Sequence, residues 1–200
     1  ARRGRGGRDA IEGNVSISAP PLLASETLAP GLAPLLVRHP ALRVTLHSSA
    51  TFASLARGEA DIAVRLAQPE QPGLVARRVA RVDLGLFALP AIAATPARDW
   101  RFVGYDDLLL RTPHGQWLES YAGDRPVVLR TSDVYAQRAA ALAGVGVAML
   151  PLVTIPEDAT LVRVDPAATP PTRDVWLVVH PDVRRSPAVR AVLDHVALLL

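Results

Sequence analysis

The sequence predicts an α/β protein in which two similar lobes each carry a sheet covered by helices. Three features lead to that class. Residues 13–66 alternate strand-like and helix-like segments in βαβαβ order. A second α/β series opens near Trp100, and the chain closes on a strand and an amphipathic helix. Strands alternating with helices are the mark of βαβ units, whose strands run parallel.

The elements follow in order. Gly13–Ala19 alternates apolar and polar residues and reads as the first strand, ended by Pro20 and Pro21. Leu28, Leu32, Leu35 and Leu36 share one face of a helix closing near Arg38, ahead of His39-Pro40. Pro30 and Pro34 fall inside it. An interior proline removes a donor and crowds the preceding turn, so a kinked or late-starting helix is expected. Arg43–His47 is a second strand. Ser48, Ser49 or Thr51 can cap a short helix stopped at Gly58, and Asp61–Leu66 is a third strand. After a loop at Gln68–Gly73, Leu74–Leu89 holds two strands broken near Arg81-Val82-Asp83, and a short segment Pro90–Thr95 follows.

The second series starts with a strand at Trp100–Tyr105. A loop through Pro113 and Gly115 leads to a helix near Gln116–Ala122, then a strand at Val127–Arg130. Ser132–Ala143 is an alanine-rich helix stopped by Gly144. Val145–Leu150, Leu161–Val164 and Val175–His180 are further strands. Pro187–Leu200 is a helix with Val189, Val192, Leu193 and Val196 on one stripe.

Composition removes whole classes of chemistry. The 200 residues include no cysteine, which excludes a disulfide framework, a zinc ribbon and a thiol nucleophile. All 22 basic residues are arginine, so Schiff-base chemistry and a lysine-dependent phosphate loop are excluded too. The net charge of +3 divides unevenly. Residues 1–12 carry four Arg against Asp9 and Glu12, and the remainder carries 18 Arg against 17 acidic groups. The body is therefore close to neutral and gives no mandate for nucleic-acid binding. Residues 1–12 read as a flexible tail or linker remnant. No stretch reaches the ~18 apolar residues of a membrane span, and the N-terminus lacks a signal-peptide core. A cytoplasmic location is expected.

Several runs together resemble a known family. They are Gly13-Asn14-Val15-Ser16-Ile17, Leu28-Ala29-Pro30 through Arg38-His39-Pro40, and Leu55 through Gly58-Glu59-Ala60-Asp61-Ile62-Ala63-Val64-Arg65. Gly73-Leu74-Val75-Ala76-Arg77-Arg78 and Ala143-Gly144-Val145-Gly146-Val147-Ala148-Met149-Leu150-Pro151 complete the set. In this order and spacing, residues 13–200 look like the C-terminal effector-binding (substrate-binding) domain of a LysR-type transcriptional regulator. The resemblance implies two Rossmann-like subdomains joined by crossover strands, as in type 2 periplasmic binding proteins. Regulatory subdomain I would comprise residues 13–81 plus 173–200, and subdomain II residues 82–172. It also implies a small-molecule effector in the cleft between lobes, and a homodimer or homotetramer. DNA contact would pass only through an N-terminal winged helix-turn-helix absent from these residues.

The effector-site candidates are Pro20, Pro21, Ser49, Thr51, Arg65, Tyr105, Thr131, Ser132 and Asp133. At Arg130-Thr131-Ser132-Asp133 a hydroxyl capping a helix would leave backbone N–H groups facing an anion, though plain N-capping looks the same. Ser49 and Thr51 stand in that relation to the first lobe's second helix. Pro20 and Pro21 supply shape without donors. Arg65 ends a strand at its carboxyl edge, where α/β sheets bind ligands, and can clamp a carboxylate or pair with Asp61, Glu70 or the opposite lobe. Tyr105 borders the second lobe's loops, where partial burial is the plainer role. These features favour a small carboxylate or other anion.

No cofactor, metal or catalytic residue is called for. The five histidines lack zinc spacing, and Asp106-Asp107 are adjacent residues that point apart. Two other readings remain in view. A solute-binding receptor would share the architecture, and a small α/β enzyme would need Ser132, a histidine and an aspartate to converge.

Overall fold

The computed structural model describes residues 10–48, 60–156 and 160–200. The chain groups into two units: the segment up to Ala80 with Asp174–Leu200, and Arg81–Arg173.

Unit 1 is built on a sheet in the order β2-β1-β3-β10-β4. Its strands are β1 (Gly13–Ala19), β2 (Leu42–Ser48), β3 (Ile62–Arg65), β4 (Val75–Val82) and β10 (Arg173–Val179). β1 runs parallel to β2 from Gly13↔Leu42 to Ala19↔Ser48, and parallel to β3 at Ile17↔Ile62. The expected parallel sheet holds for these three. β10 then adds antiparallel, from Trp176↔Arg65 to Val179↔Ile62, so the sheet is mixed. Asp61 fixes the entry to β3: its Oδ2 accepts the Ser16 amide (2.8 Å) and hydroxyl (2.9 Å), and its own amide donates back to Ser16 Oγ (3.0 Å).

The proline-rich helix starts earlier than a late-starting helix would. α1 (Pro21–Leu23) leads into a π-helical turn at Ala24–Leu28, then α2 (Ala29–Gly31) and α3 (Ala33–Arg38). The prolines explain the irregularity. Ala29, the last donor before Pro30, bonds back to Ala24 O in the wider π register. Leu32 N–H to Leu28 O (2.9 Å) and Leu36 N–H to Leu32 O (3.1 Å) carry the helix past Pro30 and Pro34. Leu28, Leu32 and Leu35 are buried, and so are Val189, Val192 and Val196 of α7 (Pro187–Leu199). α7 packs against β1 and the π turn. His195 Nε2 lies 2.8 Å from Gly31 O, and Leu199 fills the space that a side chain at Gly31 would need.

Unit 2 carries the sheet β7-β6-β8-β5-β9. It comprises β5 (Leu84–Ala88), β6 (Phe102–Gly104), β7 (Val127–Arg130), β8 (Val147–Pro151) and β9 (Val162–Val164). β6 is parallel to β7 and β8, while β5 runs antiparallel to β8 and β9. The helices are α4 (Pro90–Ala93), α5 (Pro113–Ala122) and α6 (Val134–Leu142). Phe87, Val103, Ala140, Ala141, Ala148, Leu150 and Leu161 form one core cluster, in which the small side chains of α6 let it lie close on the sheet.

Three expected boundaries move. α5 begins at Pro113 rather than near Gln116. Thr112 caps it, its hydroxyl accepting from Gly115 N at 3.3 Å, and proline suits the first turn because its missing N–H has no helical partner there. α6 begins at Val134 because Asp133 is the cap. β8 begins at Val147, since Val145 N–H still bonds back to Ala140 O (3.0 Å) and Gly144 turns the chain at φ 78°.

Candidate functional site

Parallel strands put their carboxyl ends on one edge, and each unit gathers its candidate residues there. In unit 1, β1 leads into Pro20 and Pro21, and β3 ends on Arg65. Pro21 is already the first residue of α1, so only Pro20 stands between β1 and the helix. Arg65 is buried. Its Nη1 donates to Val64 O (2.9 Å), Ser18 O (3.3 Å) and Ser18 Oγ (3.4 Å), and burial holds its pKa below the ordinary arginine value. Asp61 is engaged by Ser16 as above. Ser49, Thr51 and the helix expected up to Gly58 lie outside the described residues, as do residues 1–9 of the tail.

In unit 2 the edge is formed by β6 and β7. Thr131 N–H donates to Gly104 O at 3.0 Å, which joins the two strand ends. The hydroxyl cap expected here is replaced by a carboxylate. Asp133 Oδ1 accepts from Tyr135 N (2.8 Å) and Ala136 N (3.3 Å), so these first-turn amides already have an anion. Thr131 Oγ1 accepts from Asp133 N at 3.2 Å. Ser132 turns the other way, its hydroxyl donating to Asp106 Oδ1 and its amide to Asp106 Oδ2 (3.2 Å). The Ser132 bonds, opposed by some desolvation and joined by the Leu108 amide, hold the Asp106 carboxyl below its ordinary pKa. The Ser132 hydroxyl thus bonds a carboxylate, Asp106, rather than a histidine.

Tyr105 follows β6 directly and is 6% exposed. It meets His114 edge-on, with centroids 6.1 Å apart and planes at 79°. Burial pushes the Tyr105 phenol up to about 12, with Arg173 opposing. Burial, reinforced by Arg173, pulls the His114 imidazole down to about 4, so it is neutral at pH 7. Arg173 is itself held below its ordinary pKa by burial. The Nε of Arg173 and the Nε2 of His114 are buried without a hydrogen-bond partner.

His114 and Arg173 were not among the sequence candidates. His114 lies within a helix and Arg173 at the start of a strand, and neither has a local motif; only folding brings them to Tyr105. Arg130, next to the same edge, is committed elsewhere. It forms a fork to Glu119 (2.7 and 3.1 Å) and a bond to Tyr105 O (3.1 Å). Among the described residues no group of three or more His, Cys, Asp or Glu could hold a metal ion. No helix there is long and apolar enough to cross a membrane.

Two mixed α/β units, each presenting polar groups at the carboxyl edge of its parallel strands, define the type 2 periplasmic-binding-protein-like class. The family model described as LysR substrate binding domain matches residues 8–198, and the chain belongs to that family. The Mau operon transcriptional activator of Paracoccus denitrificans is 31% identical over 172 residues, covering 86% of this chain and 60% of the activator. The chain thus spans less than two thirds of that relative. The regulatory domain of CrgA, a LysR-type transcriptional regulator from Neisseria meningitidis, superposes with TM-score 0.77 at 22% identity, covering 94% of this chain and 98% of CrgA's domain. Full-length AphB, a virulence activator of Vibrio cholerae, gives TM-score 0.75 at 22% identity, with 94% and 69% covered. These neighbours confirm the fold expected from the resemblance, and the named relatives are regulators rather than solute receptors.

Proposed function

We propose that this chain senses a small carboxylate, or a similar anion, for a LysR-type DNA-binding transcriptional regulator. One observation carries the choice of ligand. Arg173 keeps a guanidinium largely out of water, with Nε unpartnered, beside two groups that are neutral at pH 7, Tyr105 and His114. A buried cation is costly unless paired, and a carboxylate accepting from Arg173 would offset that cost. In unit 2 we assign the effector side to Tyr105, Thr131, Ser132 and Asp133, with His114 and Arg173 added. In unit 1 we assign it to Pro20, Pro21 and Arg65, with Ser49 and Thr51 retained from the sequence.

Binding then favours one of two pre-existing conformations by its differential affinity for them. In the intact regulator, a cytoplasmic homodimer or homotetramer, that bias would reach DNA through an N-terminal winged helix-turn-helix. The domain itself would do no catalysis. The test is a thermal-shift screen of organic acids and their neutral amides, followed by calorimetry on Arg173→Gln. An acid at about 100 times its Kd should add about 2.7 kcal/mol of stability. Arg173→Gln should remove that effect. Stabilisation by neutral ligands but by no anion refutes the reading.

A further inference from the structure

Unit 1 holds a second basic site whose lining residues the effector reading does not use. A concavity of about 520 Å³ opens where β4, β10, the 3₁₀ turn Val183–Arg185 and α7 meet. Arg77, Arg184, Arg185 and Arg190 line it, with Asp194 the one carboxylate in the lining. The local balance is four positive charges against one negative. The floor is aliphatic and includes buried Leu177. Among the described residues none of the four arginines sits in an ion pair. A nearby carboxylate, Asp174, goes instead to Arg78 at 3.5 Å.

Arginine as such says nothing here, because it is this chain's only basic residue. The clustering does. The four come from three separate elements, and their mutual repulsion persists until an anion or salt screens it. The volume falls within the roughly 300–1,000 Å³ of small-molecule sites. An aliphatic floor under a cationic rim suits an apolar body bearing several carboxylates. A nucleic-acid backbone would favour an extended stripe of charge over a basin.

We propose that this basin binds a small polycarboxylate with an apolar core, independently of the residues assigned to the effector in either unit. The probe is benzene-1,3,5-tricarboxylate, titrated calorimetrically into the full 200-residue chain at low ionic strength, with inorganic phosphate and a random DNA duplex in parallel. One saturable site is expected. Arg184→Gln/Arg185→Gln should weaken it by about tenfold or more, since two charge-assisted bonds are lost and solvent and salt screen part of their strength here. The same variant, relieved of repulsion, should be at least as stable as the parent without ligand, which separates lost binding from misfolding.

Arg98→Gln, on an exposed turn of unit 2, should bind the probe normally. Arg173→Gln should also bind it, so failure of the unit 2 reading leaves this one standing. The proposal is overturned by the absence of saturable binding, by equal affinity in the double variant, or by a surface that takes DNA but no small anion.

Discussion

Asp106 receives both the amide and the hydroxyl of Ser132, and so ties the loop after β6 to the turn that opens α6. The same strand ends are also linked by Thr131 N–H to Gly104 O (3.0 Å) and by Arg130 Nη1 to Tyr105 O (3.1 Å). It also commits the serine that the sequence offers as an anion ligand. An effector reaching this edge meets Ser132 already oriented by a carboxylate.

Replacing Asp106 by Asn should lower the melting temperature at pH 7, with Ser132→Ala moving it the same way. The Asp106 pKa is depressed in the folded state. Its contribution is therefore complete above the unfolded value near 3.9 and is lost as pH falls through the lower folded value. Thermal melts of parent and Asn variant should converge at strongly acid pH. A constant gap down to that range would show that the carboxylate's charge is irrelevant to the tie.

His114 predicts the opposite chemistry in a different window. Its folded pKa of about 4 lies below the ordinary 6.5, so the unfolded chain binds the proton more tightly. The stability from keeping His114 neutral is complete above pH ~6.5 and declines as pH falls towards about 4, by at most about 1.4 kcal/mol per pH unit for one proton. His114→Leu should flatten denaturant-derived stability across that interval. An unchanged slope would remove His114 from the account.

Gly146 is forced by close approach. A Cβ there would lie 2.8 Å from the carbonyl carbon of Arg101 and nearer still to its oxygen, both rigid backbone at the entry to β6. Gly146→Ala should cost about 2–3 kcal/mol in chemical denaturation, as overpacking against backbone does. Gly31→Ala should be milder, because the neighbour it meets is the flexible end of Leu199. Equal costs would contradict the distinction.

Leu28 closes the π turn and is fully buried. Leu28→Ala should lower stability by about 2–5 kcal/mol. Exposed Val37 on α3 of the same irregular helix should cost under ~1 kcal/mol when made alanine. Urea titration of both variants checks the pair, and comparable losses would mean that Leu28 is not anchoring this segment.

Most elements were legible locally. The alternation of Gly13–Ala19, the leucine spacing at 28, 32 and 35 and the valine stripe at 189, 192 and 196 each name a buried face within a few residues. The glycine stop at Gly144 is equally local. The candidate site was legible only in outline. Arg65, Tyr105 and the Thr131–Asp133 turn were visible as strand ends and a cap, but which group performs the capping was not. Asp, Ser and Thr are near-equivalent caps; in the fold Asp133 caps α6 while Ser132 bonds Asp106.

By itself the sequence determined which chemistries are absent, where strands and helices fall and which family the chain resembles. Backbone preference and facial burial repeat within one or two turns, so a short window records them. Only the tertiary structure decided that β10 runs antiparallel beside β3, that Pro113 starts α5, and that Arg173 joins Tyr105 and His114. It also decided that arginines of β4, the Val183–Arg185 turn and α7 share one basin. Those outcomes depend on burial shared between segments far apart in the chain, a quantity that no local pattern contains.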